Sequence, residues 1–152
     1  MRKTMNAIEE AITEVNSWVS KLGVGTVDVE REYRPKRENE LILKLKPRNP
    51  NAAYLEYGFH ADAMHVRAGN HLGFYELDLS IERMNEFFEA VRLGNIEETG
   101  LLWRNKFYGS KGFINLKSGT LYFNRSPRLP FTFILFVGPL TARWKTIRYE
   151  PW

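Results

Sequence analysis

The sequence predicts a single α+β domain over residues 1–152, with a mainly antiparallel β-sheet, an N-terminal helix and a central helix packed on it. Two stretches show the apolar spacing of an amphipathic helix, and between and after them lie short segments with the alternation of strands. Gly, Asn and Pro separate these segments, and no repeat, low-complexity stretch or linker interrupts them. A chain of this length fits one domain with a sizeable core.

The first helix is predicted over Asn6–Leu22. Asn6 with Glu9 three residues later resembles a capping box, and Gly23 supplies a stop. One stripe of the helix is apolar: Met5, Ile8, Ile12, Val15, Trp18, Val19 and Leu22.

A β region follows the first helix. Apolar and charged residues alternate from Val27 to Tyr33 and again over Leu41–Lys46, so the two runs predict a hairpin joined by the charged loop Arg34–Glu40. Further strands are expected at Ala53–Phe59, Ala63–Ala68 and Leu72–Leu79. Gly69-Asn70 predicts a tight turn, because both residue types tolerate positive φ.

The second helix has clear boundary signals. Ser80 is a favourable N-cap and Gly94 lies just past the predicted end. Its apolar stripe consists of Ile81, Met84, Phe87, Phe88 and Val91.

The remainder of the chain is predicted to be β, after a connection at residues 95–100. The expected strands are Leu101–Tyr108, Phe113–Lys117, Thr120–Asn124, Phe131–Val137 and Arg143–Tyr149. Phe131–Val137 is apolar on both faces, which is typical of a central strand. The last segment is predicted to close the sheet with Trp144 or Ile147 in the core, and not to be a flexible basic tail.

Charge and aromatic residues are distributed unevenly. Residues 101–152 hold nine of the 22 basic residues, one of the 18 acidic ones and 12 of the 21 aromatics. Cations interleaved with aromatic rings attract anionic surfaces such as nucleic acid or an acidic protein face. The alternative is a sheet with an aromatic core face and a basic solvent face.

Three histidines lie close together in the sequence. His60, His65 and His71, with Asp62, offer imidazoles and a carboxylate for a metal site or an acid–base pair. If His60 and His65 were on one strand, their side chains would point to opposite faces, and His71 would lie across a turn. The i, i+4 helical spacing of many metalloenzymes is missing. These residues therefore support either an enzyme or ordinary sheet and loop histidines. No metal or cofactor is predicted.

Two other segments resemble ligand-binding motifs. Gly109-Ser110-Lys111-Gly112 lacks the strand–loop–helix context of a phosphate loop, but as a hairpin turn its amides could bind an anion. In the segment Trp103–Tyr108, Arg104 and Lys106 would lie on one strand face and Trp103 and Phe107 on the other, which would suit base stacking and phosphate contact. The alternative buries both aromatic rings.

Leu79-Ser80-Ile81-Glu82 followed by Phe87–Glu98 resembles a recurrent unit of bacterial immunity proteins, which protect cells from polymorphic toxins, including those of contact-dependent growth inhibition. The unit is a strand ending in Leu-Ser, an amphipathic helix, a Gly stop and an acidic exit. The resemblance implies a protein-binding inhibitor. Because the pI of the chain is near 9.4, the resemblance also implies a partner that either is acidic or contacts residues 1–100, whose net charge is negative.

The sequence therefore predicts an immunity or antitoxin-like protein that blocks a cognate toxin, and not an enzyme. The alternative is a nucleic-acid-binding domain that uses the C-terminal sheet. The candidate contact residues are Arg34, Lys36, Arg37, Glu38, Glu97, Glu98, Arg104 and Lys106. The absence of cysteine and the acidic Glu9, Glu10 and Glu14, which interrupt any signal-like apolar run, favour a cytoplasmic location with no membrane partner.

Overall fold

The computed structural model describes residues 2–34, 40–60, 63–70, 72–76, 79–103, 106–125 and 142–152. The helices are α1 (Arg2–Ser20) and α2 (Ile81–Arg92). The strands are β1 (Val27–Arg34), β2 (Glu40–Pro47), β3 (Leu55–His60), β4 (Ala63–Ala68), β5 (Leu72–Glu76), β6 (Ile96–Trp103), β7 (Lys106–Leu116), β8 (Gly119–Arg125) and β9 (Arg143–Arg148).

Strands β1 to β5 form one antiparallel sheet in which spatial order follows chain order. Alternation gives this sheet two different faces, since successive side chains point to opposite sides. Leu43, Leu45 and Tyr57 are fully buried on one face, whereas Lys44 and Glu56 belong to the other. The first face forms the core of the molecule.

Both helices pack on that apolar face. The hydroxyl of Tyr57 donates a hydrogen bond of 2.7 Å to the carbonyl of Met84 in α2. The rings of Trp18 in α1 and Phe88 in α2 lie 5.4 Å apart. Ile12 and Val15 complete the buried stripe of α1, so the helices and the sheet share one core.

The ends of α2 follow from its capping residues. The Ser80 side chain accepts a hydrogen bond from the backbone N–H of Arg83. At the other end Gly94 has a φ of 72°, and the N–H of Asn95 donates to the carbonyl of Ala90. A left-handed residue after the last turn is favourable for glycine and satisfies the terminal carbonyls.

Strands β6 to β9 form a second antiparallel sheet in the order β8-β7-β6-β9. The register of β6 and β7 shifts between Gly100 and Leu101, whose partners are Ser110 and Tyr108. Gly109 is therefore an extra residue, as in a β-bulge. Ile96 and Ile114 from this sheet are buried in the core of the first one.

The C-terminal residues dock onto the core beyond β9. The indole N–H of Trp152 donates to the carbonyl of Ala53 at 2.7 Å, and its ring meets Phe88 edge-on at 5.5 Å. The hydroxyl of Tyr149 donates to Glu98 at 2.7 Å. This end of the chain is therefore held by the first sheet, α2 and the second sheet together.

The predicted α+β class is confirmed, as are both helices, the β1–β2 hairpin and the strand Ala63–Ala68. The first helix begins before Asn6, so the expected capping box is wrong. The described strands form two sheets. The predicted central strand Phe131–Val137 lies outside the described residues.

Two further predictions are wrong. Residues 96–100 belong to β6, and the expected strand Leu101–Tyr108 is divided between β6 and β7. The C-terminal strand does pair with β6, but Trp144 is 56% exposed and Ile147 is half-buried; Tyr149 and Trp152 contribute to the core instead.

Neither described helix is both long and apolar enough to cross a membrane.

Replacing Trp152 with alanine removes its hydrogen bond and its contact with Phe88, so we expect Trp152→Ala to lower the free energy of unfolding by about 2 kcal/mol. Urea unfolding followed by circular dichroism measures this change. The control is Trp144→Ala, which removes an exposed indole and should cost less than about 0.5 kcal/mol. Equal losses in the two variants would contradict the anchoring role of Trp152.

Candidate functional site

The second sheet presents an exposed surface that combines aromatic and cationic side chains. Cross-strand register places Phe113 beside Tyr122, and alternation puts Trp144, Lys111 and Arg148 on the same side of the sheet. Tyr122 is 80% exposed and Trp144 is 56% exposed. We call the surface formed by these five side chains the aromatic face.

The contacts within the aromatic face place its rings and charges together. The ammonium of Lys111 lies 5.7 Å from the centre of the Trp144 ring, within the range of a cation–π interaction. The rings of Phe113 and Tyr122 lie 6.4 Å apart. Arg148 Nε donates to Glu97 at 2.8 Å and its side chain remains largely exposed. This surface therefore offers large apolar contacts beside positive charge.

Three of the predicted contact residues are fully described by the structure. Arg34 forms a two-pronged ion pair with Glu32 at 2.6 and 3.1 Å. Glu97 lies at the edge of the aromatic face, paired with Arg148. Glu98 is only 1% exposed and accepts a hydrogen bond from Tyr149, so its carboxylate is not at the surface where a predicted contact residue would have to lie.

Of the other predicted contacts, Lys36, Arg37, Glu38 and Arg104 lie outside the described residues. The backbone of Lys106 begins β7 and pairs with Trp103, which ends β6. The continuous strand expected over Trp103–Tyr108 is therefore wrong, since the chain reverses between these two residues. Trp103 is buried with its ring 5.8 Å from that of Tyr108, as in the core alternative.

The predicted anion-binding turn Gly109–Gly112 is wrong, because all four residues lie inside β7. Gly112 is required there by close packing: a Cβ at this position would lie 2.3 Å from the carbonyl oxygen of Glu97. Ser110, Lys111 and Gly112 pair with β6 in a ladder, in which successive amides point to opposite edges of the strand.

A second polar site lies on the solvent side of the first sheet. It is a cleft of about 410 Å³, lined by residues 123–125 of β8 and by six residues of the first sheet: Arg34, Glu40, Glu56, His65, Arg67 and Gly73. We call it the carboxylate cleft. Glu56 and Glu40 are 4% and 9% exposed, which is unusual for acidic residues.

His65 lies between the two carboxylates. Its Nδ1 is 3.2 Å from Glu40 Oε1, and its Nε2 is 3.9 Å from Glu56 Oε1. Arg67 approaches Glu56 Oε1 to 3.6 Å, also beyond hydrogen-bond reach. The nearby imidazole of His65, followed by the guanidinium of Arg67, lowers the pKa of Glu56 despite its burial. Glu56 is therefore held as a carboxylate.

The edge of the cleft is strongly charged. Glu32 accepts hydrogen bonds from Arg34 and from Lys44, at 2.6 and 2.5 Å. These bonds, that of Arg34 first, lower the pKa of Glu32 from 4.5 to about 2. Arg34 is therefore already engaged within the protein.

The predicted histidine cluster is only partly described. His60 pairs with Ala63 and His65 with Gly58 across the β3–β4 hairpin, so the two histidines lie on neighbouring strands and not opposite each other on one strand. Asp62 and His71 lie outside the described residues. Within the described part of the chain, no group of three or more His, Asp or Glu side chains is arranged to hold a metal ion.

The carboxylate cleft is the feature that sequence reasoning missed. The alternation of β2 predicts that Glu40 and Lys44 share a face, but their proximity to Glu56 and His65 depends on the registers of three strands. Gly58 is the sequence signal that could have indicated this site, since a glycine inside a strand often marks a place where another group approaches the backbone closely. A Cβ on Gly58 would lie 1.9 Å from His65 Cε1.

Comparison of the chain with protein-family models, with curated proteins and with solved structures finds no match. Its function therefore has to be inferred from its own residues.

We expect Gly58→Ala to displace the His65 imidazole and to lower the free energy of unfolding by about 1–3 kcal/mol, because the new methyl group overlaps the ring. Chemical unfolding measures the loss. The matched control is Gly73→Ala in the same cleft, where the nearest atom, on Phe123, is 3.9 Å away and the methyl group fits. If both variants unfold alike, the imidazole does not occupy the space above Gly58.

Proposed function

We propose that the chain is an immunity-type protein that acts in the cytoplasm, where it binds a cognate toxin domain and blocks the toxin's active surface. The proposal rests on the aromatic face together with the resemblance of the α2 segment to immunity proteins. The aromatic face is the binding surface.

The exposure of Trp144 and Tyr122 is the observation that carries the proposal. A large aromatic ring that is exposed to water contributes little to the stability of the sheet that carries it. The same ring, buried in a protein–protein interface, supplies much of the binding energy. The face is built on paired strands, so its rings are held without the ordering cost of a loop. These properties fit a preformed binding surface.

The charges on this face favour an acidic partner. Lys111 beside Trp144 presents a cation, and the exposed Arg148 presents a second one paired with Glu97. A toxin surface with carboxylates around an apolar patch would complement both the rings and the charges. This accounts for the high pI of the chain, which would be unfavourable for an inhibitor of a cationic nuclease.

The α2 segment supports the same proposal in part. Its Ser80 cap and its positive-φ stop at Gly94 match the helix of the recurrent unit. Other parts of the match differ: β5 ends at Glu76, before Leu79-Ser80, and the acidic exit forms strand β6. The α2 segment therefore resembles the helix and the glycine stop of the recurrent unit, and not the strand that precedes them.

Coexpression with the product of the neighbouring gene tests the proposal. We expect a 1:1 complex of nanomolar affinity and rescue of growth from that product. Changing Trp144 and Tyr122 together to alanine should weaken the complex about 100-fold or more, because central aromatic residues dominate such interfaces. Titration calorimetry measures the affinity, and a growth assay measures the protection.

The matched control is Tyr33→Ala, which removes an aromatic ring that is 59% exposed on the first sheet. This variant should bind within about threefold of the original protein. Absence of both complex and rescue would exclude the immunity proposal. A complex that the double variant forms equally well would place the interface elsewhere on the chain.

A second candidate function is the binding of single-stranded nucleic acid. The specific observation is that the exposed Arg148 lies on the same face of β9 as Trp144, and Lys111 lies over the Trp144 ring. An exposed ring stacks on bases while neighbouring cations contact phosphates. Arg104 and Lys106 remain predicted contacts for this function.

For this candidate we expect micromolar binding of a fluorescent oligonucleotide, weakening steeply with salt. Changing Lys111 and Arg148 together to alanine should lower the magnitude of the logarithmic salt slope by about 1.4, since each lost phosphate contact on a single strand removes about 0.7. The control, Lys46→Ala with Arg48→Ala, removes the same charge from the first sheet. Binding that is absent at low ionic strength, or that ignores salt, would contradict nucleic-acid recognition.

A further inference from the structure

The carboxylate cleft contains a buried carboxylate oxygen that has cationic neighbours but no hydrogen bond from the described residues. Glu56 Oε1 has no hydrogen-bond partner in the described part of the chain, although its side chain is only 5% exposed. A buried carboxylate oxygen without a hydrogen bond is costly, so proteins rarely keep one without a use. Glu56 is one of the residues that line the cleft, and this oxygen of it is buried beneath the surface.

The cationic groups nearest to this oxygen lie beyond hydrogen-bond reach. His65 Nε2 at 3.9 Å and Arg67 at 3.6 Å are attracted to it but do not bond to it. An amino group that entered from the cleft could donate to the Glu56 carboxylate once the half-exposed Arg67 side chain moves aside. It would complete the site without displacing the contact between His65 and Glu40.

Beside this acceptor, the same cleft carries cations suited to an anionic group. The Arg67 side chain is 48% exposed, and the exposed Arg125 lines the cleft from β8. Guanidinium groups bind carboxylates and phosphates in a two-pronged geometry. Arg34 contributes less, because it is engaged by Glu32.

We propose that the carboxylate cleft binds a small organic anion that carries an amino group, the amine donating to Glu56 and the anionic group lying against Arg67 and Arg125. The volume of about 410 Å³ suits a ligand of this size. The half-buried ring of Phe123 supplies an apolar wall. The cleft shares no residue with the aromatic face, so this proposal is independent of partner binding.

The ligand chemistry has two common sources, and the test separates them. One arm uses nucleoside monophosphates with an amino-bearing base (AMP, GMP and CMP), and the other uses α-amino acids. In the nucleotide arm, the truncated probes are adenosine, which lacks the anionic group, and inorganic phosphate, which lacks the amine. In the amino-acid arm, they are the amino-acid amide, which lacks the anionic group, and acetate, which lacks the amine. Calorimetry and thermal melting of the full chain are the measurements.

We expect one of the two arms to raise the melting temperature and to bind roughly tenfold or more tightly than its truncated probe, because both ends contribute. Absence of binding in both arms at millimolar concentration overturns the proposal. So does phosphate binding as tightly as the best nucleotide, because the amino end would then contribute nothing.

Substitution separates a binding role of Glu56 from a structural one. Glu56→Gln should weaken binding roughly tenfold or more while leaving the melting temperature unchanged or raised, since the buried charge is removed. The matched control is Glu30→Gln, an exposed carboxylate of the same sheet, paired with Lys46. A lower melting temperature with unchanged affinity would make Glu56 structural and overturn the proposal.

Arg67→Gln provides an independent variant, because Arg67 is half-exposed and its loss leaves the core intact. It should weaken the binding of the anionic ligand roughly tenfold or more and leave the weak binding of the uncharged probe unchanged. If Arg67→Gln binds as tightly as the original protein, the assignment of the anionic end is wrong.

Discussion

The register of the first sheet is the constraint on which the rest of the structure depends. Because side chains alternate along a strand, the same pairing that turns Leu43 and Tyr57 into the core turns Glu56 and His65 to the opposite face. A slip of one residue would bury Glu56 beneath the helices and expose Tyr57. The bond from Tyr57 to α2 would then be lost, so the core and the carboxylate cleft are specified together.

The C-terminal residues connect this sheet to the second one. Tyr149 donates to Glu98 on β6, and both the hydroxyl of Tyr149 and the carboxylate of Glu98 lie 3.0 Å from the backbone N–H of Asn70 in the β4–β5 turn. Gly69 in that turn has a φ of 61°, and a Cβ there would lie 2.7 Å from the Tyr149 hydroxyl. Glycine is therefore required at position 69 for two reasons, its positive φ and the close approach of the Tyr149 hydroxyl. Burial and the carboxylate of Glu98 raise the pKa of Tyr149, which keeps its hydroxyl a donor.

Local sequence signals predicted the elements well where a single element carries the signal. Ser80 and Gly94 bound α2 because capping depends on neighbours in the chain. The errors arose where residues distant in the sequence determine the structure of a segment or the burial of a side chain. Gly109 reads as a turn but is a bulge opposite β6, and Trp144 reads as a core residue although its strand shows that face to solvent. The carboxylate cleft combines three strands, and no local pattern contains it.

The two surfaces also differ in how they hold their charges, and this separates what each can bind. On the aromatic face the cation Lys111 is exposed beside a ring, where water screens it and where a large partner would remove that water. In the cleft Glu56 is already removed from water, so its charge is screened less and interacts more strongly with whatever enters. In the two proposals, steering of a macromolecule therefore belongs to the aromatic face and selection of a small ligand to the carboxylate cleft. The two proposed binding events are compatible with each other, because neither surface uses a residue of the other.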